Sequence, residues 1–360
     1  MPEAATIVKN LLRWYVKKAR DLPWRRQSDP YGIWISEIML QQTQVKTVIP
    51  YWERWMKQLP TIARLAAARE DEFLKLWEGL GYYSRVRNIH RAAHVIMDSF
   101  GGEFPRDHTS ILSLPGIGPY TAGAISSIAF GDPQPIVDGN VIRVLTRVDC
   151  VTESTQAAAT KTKLWSRSAN LVEEAAKGKS TDCNVCGDFN QALMELGATV
   201  CLPREPICCE CPLARDCYAK AKSVQASLPN VGPRKKAVSR VFMAVVIQRR
   251  QSFMVRRRGS EGVNAGLWEF PNTELKEPDV AGDAWLKESL GVERASLGLL
   301  GEVKHSITTS RILLRVYKVR VSPDYPAVGG SSQWASRAKL DGLAFTAAHR
   351  KIVERILGRE

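Results

Sequence analysis

The sequence predicts a mainly α-helical region followed by a smaller α+β domain, on three observations. Up to residue 200, apolar side chains recur at helical spacing and nothing demands a sheet. Residues 222–239, KSVQASLPNVGPRKKAVS, then mix Pro, Gly, Ser and basic residues without periodicity and read as a linker. Beyond them, residues 241–248, 253–257 and 311–321 alternate or run apolar with β-branched side chains, as strands do, while 280–290 and 347–357 read as helices. The expected division is therefore a helical region over 1–221, a linker over 222–239 and a second domain over 240–360. A chain of 360 residues is long enough for two separate cores.

Taken in order, Ile7, Leu11, Trp14 and Tyr15 form a helical stripe suited to a core, and Asp21-Leu22-Pro23-Trp24-Arg25 breaks that helix. The spacing next predicts one helix over 34–48, WISEIMLQQTQVKTV, in which Trp34, Ile35, Ile38 and Met39 crowd the carboxylate of Glu37. Burial there raises its pKa and keeps it protonated near neutrality; the alternative is an exposed helical glutamate. Helices over 72–77 and 84–100 follow, separated by Gly79-Leu80-Gly81-Tyr82-Tyr83. That aromatic pair, with Arg85 and Arg87 behind it, suits either stacking on a base beside phosphate contacts or cover for a helix end. Further helices are expected over 161–176 and 189–198.

The central stretch, LPGIGPYTAGAISSIAFGDPQPIVDGN over 114–140, reads as helix, hairpin, helix. Gly116 and Gly118 permit close backbone approach to an anion, and the N-terminus of a helix over 119–130 adds its positive dipole end, so a nucleic-acid phosphate fits. Such a turn also serves simply to connect helices. Asp138 precedes an apolar helix over 141–148, either as its N-cap or as a working carboxylate.

A formal charge of +14 and a pI near 9.5 favour a polyanionic partner, with counterion release supplying affinity. The first residues carry acid and no long apolar run, and no stretch approaches the roughly eighteen apolar residues of a membrane span, so neither secretion nor a membrane is expected. Cys201, Cys208, Cys211 and Cys217 have the spacing C-x6-C-x2-C-x5-C, compacted by Pro203, Pro206 and Pro212. Four thiolates in so short a loop match an iron–sulfur cluster, with zinc as the alternative. Disulfides are disfavoured in a reducing cytosol. Cys150, Cys183, Cys186 and Cys209 read as free thiols or packing residues, Cys183 and Cys186 otherwise forming an incomplete metal-binding pair.

A helix-hairpin-helix with a downstream Asp and this cysteine loop resembles the iron–sulfur branch of the helix-hairpin-helix DNA glycosylase superfamily, over residues 7–217. Within it, SEIMLQQTQV, EGLGYYSRVRN, LPGIGPYTAGAI, VDGNVIRVLTR and FNQALMELGA resemble the MutY-type adenine DNA glycosylases. The resemblance implies a six-helix barrel with an iron–sulfur subdomain, a 4Fe–4S cluster being held by Cys201, Cys208, Cys211 and Cys217. It implies that Glu37 protonates adenine and then helps activate water. Asp138 would stabilise the oxocarbenium-like sugar, by charge or through a transient covalent adduct, with Tyr120 and Asn140 orienting that pair. Adenine leaves poorly unless protonated and its loss leaves positive charge on the sugar, so an acid above and an anion below parallel the two carboxylates of glycoside hydrolysis. The base must also leave the stack, most cheaply at a mismatch.

By the same resemblance Arg20, Trp24, Arg25, Leu40 and Gln191 border the adenine pocket, and Gln42 and Tyr82 wedge into the stack beside the opposite lesion. The hairpin with Leu114, Gly116 and Gly118 would hold the DNA backbone. Related strand-cleaving glycosylases for thymine glycol place a lysine after the hairpin, where its amine forms a Schiff base; Tyr120 stands there here, which implies monofunctional base removal.

In the second domain, NAGLWEFP over 264–271 resembles a Nudix-like loop, whereas AWLKESLGVE lacks the glutamate cluster that holds a divalent metal in Nudix hydrolases. A Nudix-like recognition module that does not hydrolyse nucleoside diphosphates is therefore expected, and the resemblance to the adenine glycosylases implies that it recognises 8-oxoguanine. Many relatives carry Phe-Ser-His in its reading loop; this chain has His305-Ser306-Ile307-Thr308-Thr309, of which Ser306, Thr308 and Thr309 can hydrogen-bond a base edge. The expected partner is double-stranded DNA with A:8-oxoguanine or A:G mispairs. The expected state is a monomer in the cytoplasm, nucleoid-associated if bacterial. Two other readings are a bifunctional glycosylase/lyase for oxidised pyrimidines, opposed by Tyr120, and a non-catalytic iron–sulfur DNA-binding protein, opposed by Glu37 with Asp138.

Overall fold

The computed structural model describes residues 2–178, 184–233, 237–275, 281–307, 309–327, 331–355 and 357–359. Its helices run as α1 (Ala4–Lys18), α2 (Pro30–Leu40), α3 (Val45–Gln58), α4 (Ile62–Ala66), α5 (Glu70–Trp77), α6 (Ser84–Ser99), α7 (His108–Ser113), α8 (Pro119–Phe130), α9 (Gly139–Val148), α10 (Ala158–Ala176), α11 (Val185–Thr199) and α12 (Tyr218–Ala221). Two units emerge, Met1–Ala67 with Asn88–Pro233, and Ala68–Arg87 with Arg234–Glu360. Among the described residues, no helix is long and apolar enough to cross a membrane.

The first unit is built around helices apolar on every side. In α2 all residues from Tyr31 to Met39 are buried, so the helix sits inside others rather than on a surface. Its start is secured by Pro30 in the first turn and by the Asp29 carboxylate, which accepts from Tyr31 N–H and Gly32 N–H at 3.1 Å each. The single helix expected over 34–48 is in fact two. Gln41, Gln42, Thr43 and Gln44 offer no apolar side chain to anchor a turn, and Gln42 adopts a left-handed conformation at φ +57° before α3 resumes with Val48, Trp52 and Trp55 inward. The stripe read on α1 is core at Ile7, Leu11 and Tyr15, which meet Val144 of α9, Leu171 of α10 and Phe189 of α11.

α8 follows the predicted 119–130 span residue for residue. Gly131, at φ +73°, ends it, with its N–H on Ser127 O and Asp132 N–H on Ser126 O. Ahead of α8, Ile117 N–H bonds Leu114 O to close the hairpin. Only one of the two hairpin glycines is required by the fold: Gly116 has φ +80° and a Cβ there would strike Asn88. Gly118 has an ordinary extended backbone with open space where a Cβ would stand. The cysteine loop and residues up to Pro233 belong to this unit, Asn230 O accepting from Thr155 N–H at 2.9 Å.

In the second unit the strands are β1 (Val238–Arg249), β2 (Ser252–Arg257), β3 (Trp268–Glu269), β4 (Asn272–Leu275), β5 (Gly298–Ile307), β6 (Ser310–Arg320) and β7 (Ser332–Ser336). They form a mixed sheet in the order β3-β2-β1-β6-β5, with β4 on β1 and β7 on β2; β1 and β6 are parallel, Val238 opposite Ser310 and Gln248 opposite Arg320. Three strands lie where the apolar runs predicted them. β5 escaped the sequence pattern because a bulge between Leu299 and Gly301 shifts its two-residue period.

β1 is buried on both faces. Ala244 and Val246 pack under Phe345, Ile352 and Val353, while Met243, Val245 and Ile247 pack under Leu286 and Leu290. Those covers are α13 (Ala281–Trp285) with a π-helical turn Leu286–Leu290, and α14 (Arg337–Gly342) with α15 (Ala347–Arg355). The helices expected over 280–290 and 347–357 thus stand, apart from Val280 and Ile356, which lie outside the described residues. The segment 68–87 joins this unit through Glu78, whose Oε1 accepts from Phe345 N–H and Arg350 Nε at 2.8 Å each.

In α8, Gly123 lies against the Pro135 carbonyl so closely that a Cβ would overlap its oxygen. Gly123→Ala is therefore expected to destabilise the protein by about 1–3 kcal/mol despite alanine's better helix propensity. Urea unfolding of the two proteins checks the sign.

Candidate active site

A cleft of about 780 Å³ opens in the first unit between α2, α8, the start of α9 and α11. The four residues carried over as catalytic, Glu37, Tyr120, Asp138 and Asn140, all line it. So do the five assigned to the adenine pocket, Arg20, Trp24, Arg25, Leu40 and Gln191, and with them Gln42 and Gly118. Residues distant in sequence meet here because α2 and α8 pack side by side.

Glu37 is 5% exposed, and the Tyr120 hydroxyl donates to its Oε2 at 2.7 Å. The exposed-glutamate alternative is thereby excluded. Burial pushes the Glu37 carboxyl up to about 7; the Tyr120 bond works against this and the Asp138 charge with it. Tyr120 is raised well above the ordinary phenol range by burial and by the two carboxylates, so it remains a donor. Asp138 fills both roles open to it. As N-cap of α9, its Oδ1 accepts from Val141 N–H at 2.7 Å, and its Oδ2 takes Asn140 Nδ2–H at 2.9 Å while the group lines the cleft. Burial raises its pKa against the pull of those bonds.

Asn140 is fixed in turn by Arg143, whose Nη2 donates to its Oδ1 at 2.7 Å and to Gly197 O at 2.6 Å. The same guanidinium reaches Cys201 O through Nε at 2.6 Å. A continuous set of bonds therefore runs from Asp138 to the first residue of the cysteine loop.

At the other wall, Arg25 donates to Gln191 Oε1 at 3.0 Å and to Glu195 Oε2 at 3.0 Å, and Arg20 grips Glu195 at 2.6 and 2.9 Å. Glu195 was not singled out in the sequence. The signal for it was two arginines near one aromatic, Trp24, with no local acid able to neutralise both. Burial opposes its ionisation, but the Arg20 hydrogen bond and the charges of Arg25 and Arg20 hold it below the usual glutamate range. Met194, also unforeseen, lines the same cleft.

Cys201, Cys208, Cys211 and Cys217 line one apolar cavity with Val144, Val148, Leu196 and Ile207. Burial pushes the Cys211 thiol up to about 12, the three other cysteines adding to the effect. A set of four sulfurs is the donor set of an iron–sulfur cluster. Among the described residues, no group of three or more His, Cys, Asp or Glu side chains is arranged to hold a metal ion. Cys186 is buried core and Cys209 is exposed, whereas Cys183 lies outside the described residues.

In the second unit, Tyr82 is 45% exposed at φ +48° in the Gly79–Tyr83 turn, while Tyr83 is buried. Arg85 and Arg87, read as phosphate contacts, are engaged internally. Arg85 is buried and donates to Leu80 O and Gly81 O, and Arg87 bonds Glu70 and Ala265 O. Ser306 lies on β5 opposite Arg311, and Thr309 in the turn after it; Thr308 lies outside the described residues. Strand alternation turns His305 and Ile307, not Ser306, into a cavity of about 430 Å³ shared with Phe242, Arg258 and His349.

Residues 35–169 match the HhH-GPD superfamily of base excision DNA repair proteins, and residues 242–355 match the NUDIX domain family. The chain is 33% identical to the human adenine DNA glycosylase over 412 residues, covering 98% of this chain and 74% of the human one. It is 36% identical to the adenine DNA glycosylase of Buchnera aphidicola from Acyrthosiphon pisum, over 77% of this chain and 76% of that protein. The solved structure of a thermostable thymine-DNA glycosylase superposes with a TM-score of 0.52 at 29% identity, over 61% of this chain and 97% of the other. With a buried acid and a second carboxylate in one cleft ahead of a Nudix-like domain, this chain is a DNA glycosylase belonging to the adenine DNA glycosylase family.

Proposed function

We propose that the protein excises adenine from duplex DNA where it stands opposite 8-oxoguanine or guanine, hydrolysing the N-glycosidic bond and leaving the strand intact. The observation that carries this is Glu37 itself: a carboxyl poised at about 7, bonded to Tyr120, in a cleft it shares with Asp138. As an acid, Glu37 protonates a ring nitrogen of the flipped base, and adenine leaves with its electron pair. Asp138 then faces the developing positive charge on the sugar, held in place by Asn140 and Arg143. Glu37, now a carboxylate with Tyr120 donating to it, accepts a proton from the attacking water.

No lysine is among the residues lining the cleft, which supports hydrolysis without the Schiff base that strand cleavage requires. The uncapped N-terminus of α8 behind open Gly118 suits a backbone phosphate. Four sulfurs lining one apolar cavity suit a 4Fe–4S cluster held by Cys201, Cys208, Cys211 and Cys217. Such a cluster would crosslink the loop against α9 and α11. The β5–β6 hairpin bearing Ser306 and Thr309 is the candidate reader of the lesion.

The direct test is single-turnover reaction of a duplex with one adenine opposite 8-oxoguanine, scored with and without alkali. Breaks should appear only after alkali; breaks without it mean a lyase. Asp138→Asn should abolish turnover while retaining DNA affinity, and Glu37→Gln should slow excision by about 10²–10⁴-fold.

Excision should also decline as pH rises through about 7, where Glu37 loses its proton. The same shift predicts a stability effect. Because the folded pKa of Glu37 lies above its unfolded value of 4.5, its contribution is full below that value and is lost as pH rises through about 7. Glu37→Gln should therefore gain up to about 3 kcal/mol at pH 8 and nothing at pH 4, as read by unfolding at both.

A further inference from the structure

The Tyr120 hydroxyl has one proton and two acceptors. Glu37 Oε2 is 2.7 Å from it, and on the other side Met194 Sδ, on α11, is 3.1 Å away. While Glu37 is a carboxylate the proton belongs to Oε2. When Glu37 carries its own proton on that oxygen, it must donate to the phenol, and the phenol proton then needs a different acceptor. We propose that the Met194 sulfur is that acceptor, a positioning residue through which Tyr120 serves Glu37 in both protonation states.

The inference rests on the acid role given to Glu37 above and deepens it. Protons balance without a further group. As the Glu37 O–H turns from the phenol oxygen to the adenine nitrogen and its proton is transferred, the Tyr120 proton swings from sulfur to the freed Oε2, and the reverse follows when Glu37 is reprotonated. A thioether suits this task because it is a weak acceptor. It supports the phenol proton when nothing better is offered and releases it as soon as Oε2 becomes anionic, where the bond is stronger. The other charged groups facing Glu37 are Asp138 ahead of α9 and Arg25 in the 23–25 turn, and Tyr120 is faced by the same Asp138. Met194 is therefore the neutral component among them, biasing the site without changing its charge.

Met194→Leu removes the acceptor at nearly constant volume, and Met194→Gln returns one on a side chain of similar length. Glu37 is followed directly by ¹³C NMR of glutamate-labelled protein, its signal assigned by its loss in Glu37→Gln, alongside the pH profile of single-turnover adenine excision. Met194→Leu should lower the Glu37 midpoint by about half a pH unit and carry the alkaline limb of the rate with it. Met194→Gln should restore the midpoint or raise it. An unchanged midpoint in Met194→Leu, or the same shift in both variants, overturns the inference, since a mere wall of the cleft would treat them so. Midpoints that move as expected in a protein that leaves adenine in place would uphold the relay and remove the adenine reading instead.

Discussion

The first unit is organised by one constraint, a carboxyl carried on a helix that is buried on every face. An ionised carboxylate in such a place is strongly penalised, so α2 holds Glu37 as an acid near neutrality and needs a hydrogen-bonding neighbour that tolerates both its forms. Tyr120 supplies it, which requires α8 to lie alongside α2. The glycine at 123 then lets α8 approach the irregular segment at Pro135, and that segment delivers Asp138 to the same cleft. The pair of carboxyls is thus a consequence of how closely two helices and one connecting segment pack.

The cysteine loop solves a different problem. It has little regular structure: its turns bond the carbonyls of Pro206, Ile207, Cys208, Cys211 and Leu213 within the loop, while those of Cys201, Leu202 and Pro203 find their partners outside it. Two arginines on α9 provide them. Arg147, only 1% exposed, donates to Leu202 O, Pro203 O and Leu228 O, and Arg143 takes Cys201 O while holding Asn140. The helix whose first turn is capped by Asp138 therefore also gathers the loop.

The second unit rests on strand β1, which is paired along its length and covered on both faces. A strand so placed reads as an unbroken apolar run, MAVVI over 243–247, and was for that reason visible in the sequence. Strand β5, beyond β6 at the edge of the sheet, carries charges and two glycines on a more exposed strand and was not.

The sequence by itself determined the helices with strong periodicity, the helical first region and mixed second one, and the residue types from which the site is made. Glu37, Asp138, Tyr120 and the four cysteines were all nameable from local chemistry and motif resemblance, because acid, anion, donor and sulfur ligand are properties of single side chains. The break at 41–44, the bulge in β5 and the internal use of Arg85 and Arg87 were invisible, since each depends on what lies across the chain. Only the tertiary structure decided that Glu37 is buried and not exposed, that Asp138 caps a helix and faces the cleft at once, and that Glu195 and Met194 belong to the site. Burial and hydrogen-bond partners set a pKa, and both are fixed by packing between residues some 80 to 170 positions apart, a distance over which periodicity carries no information.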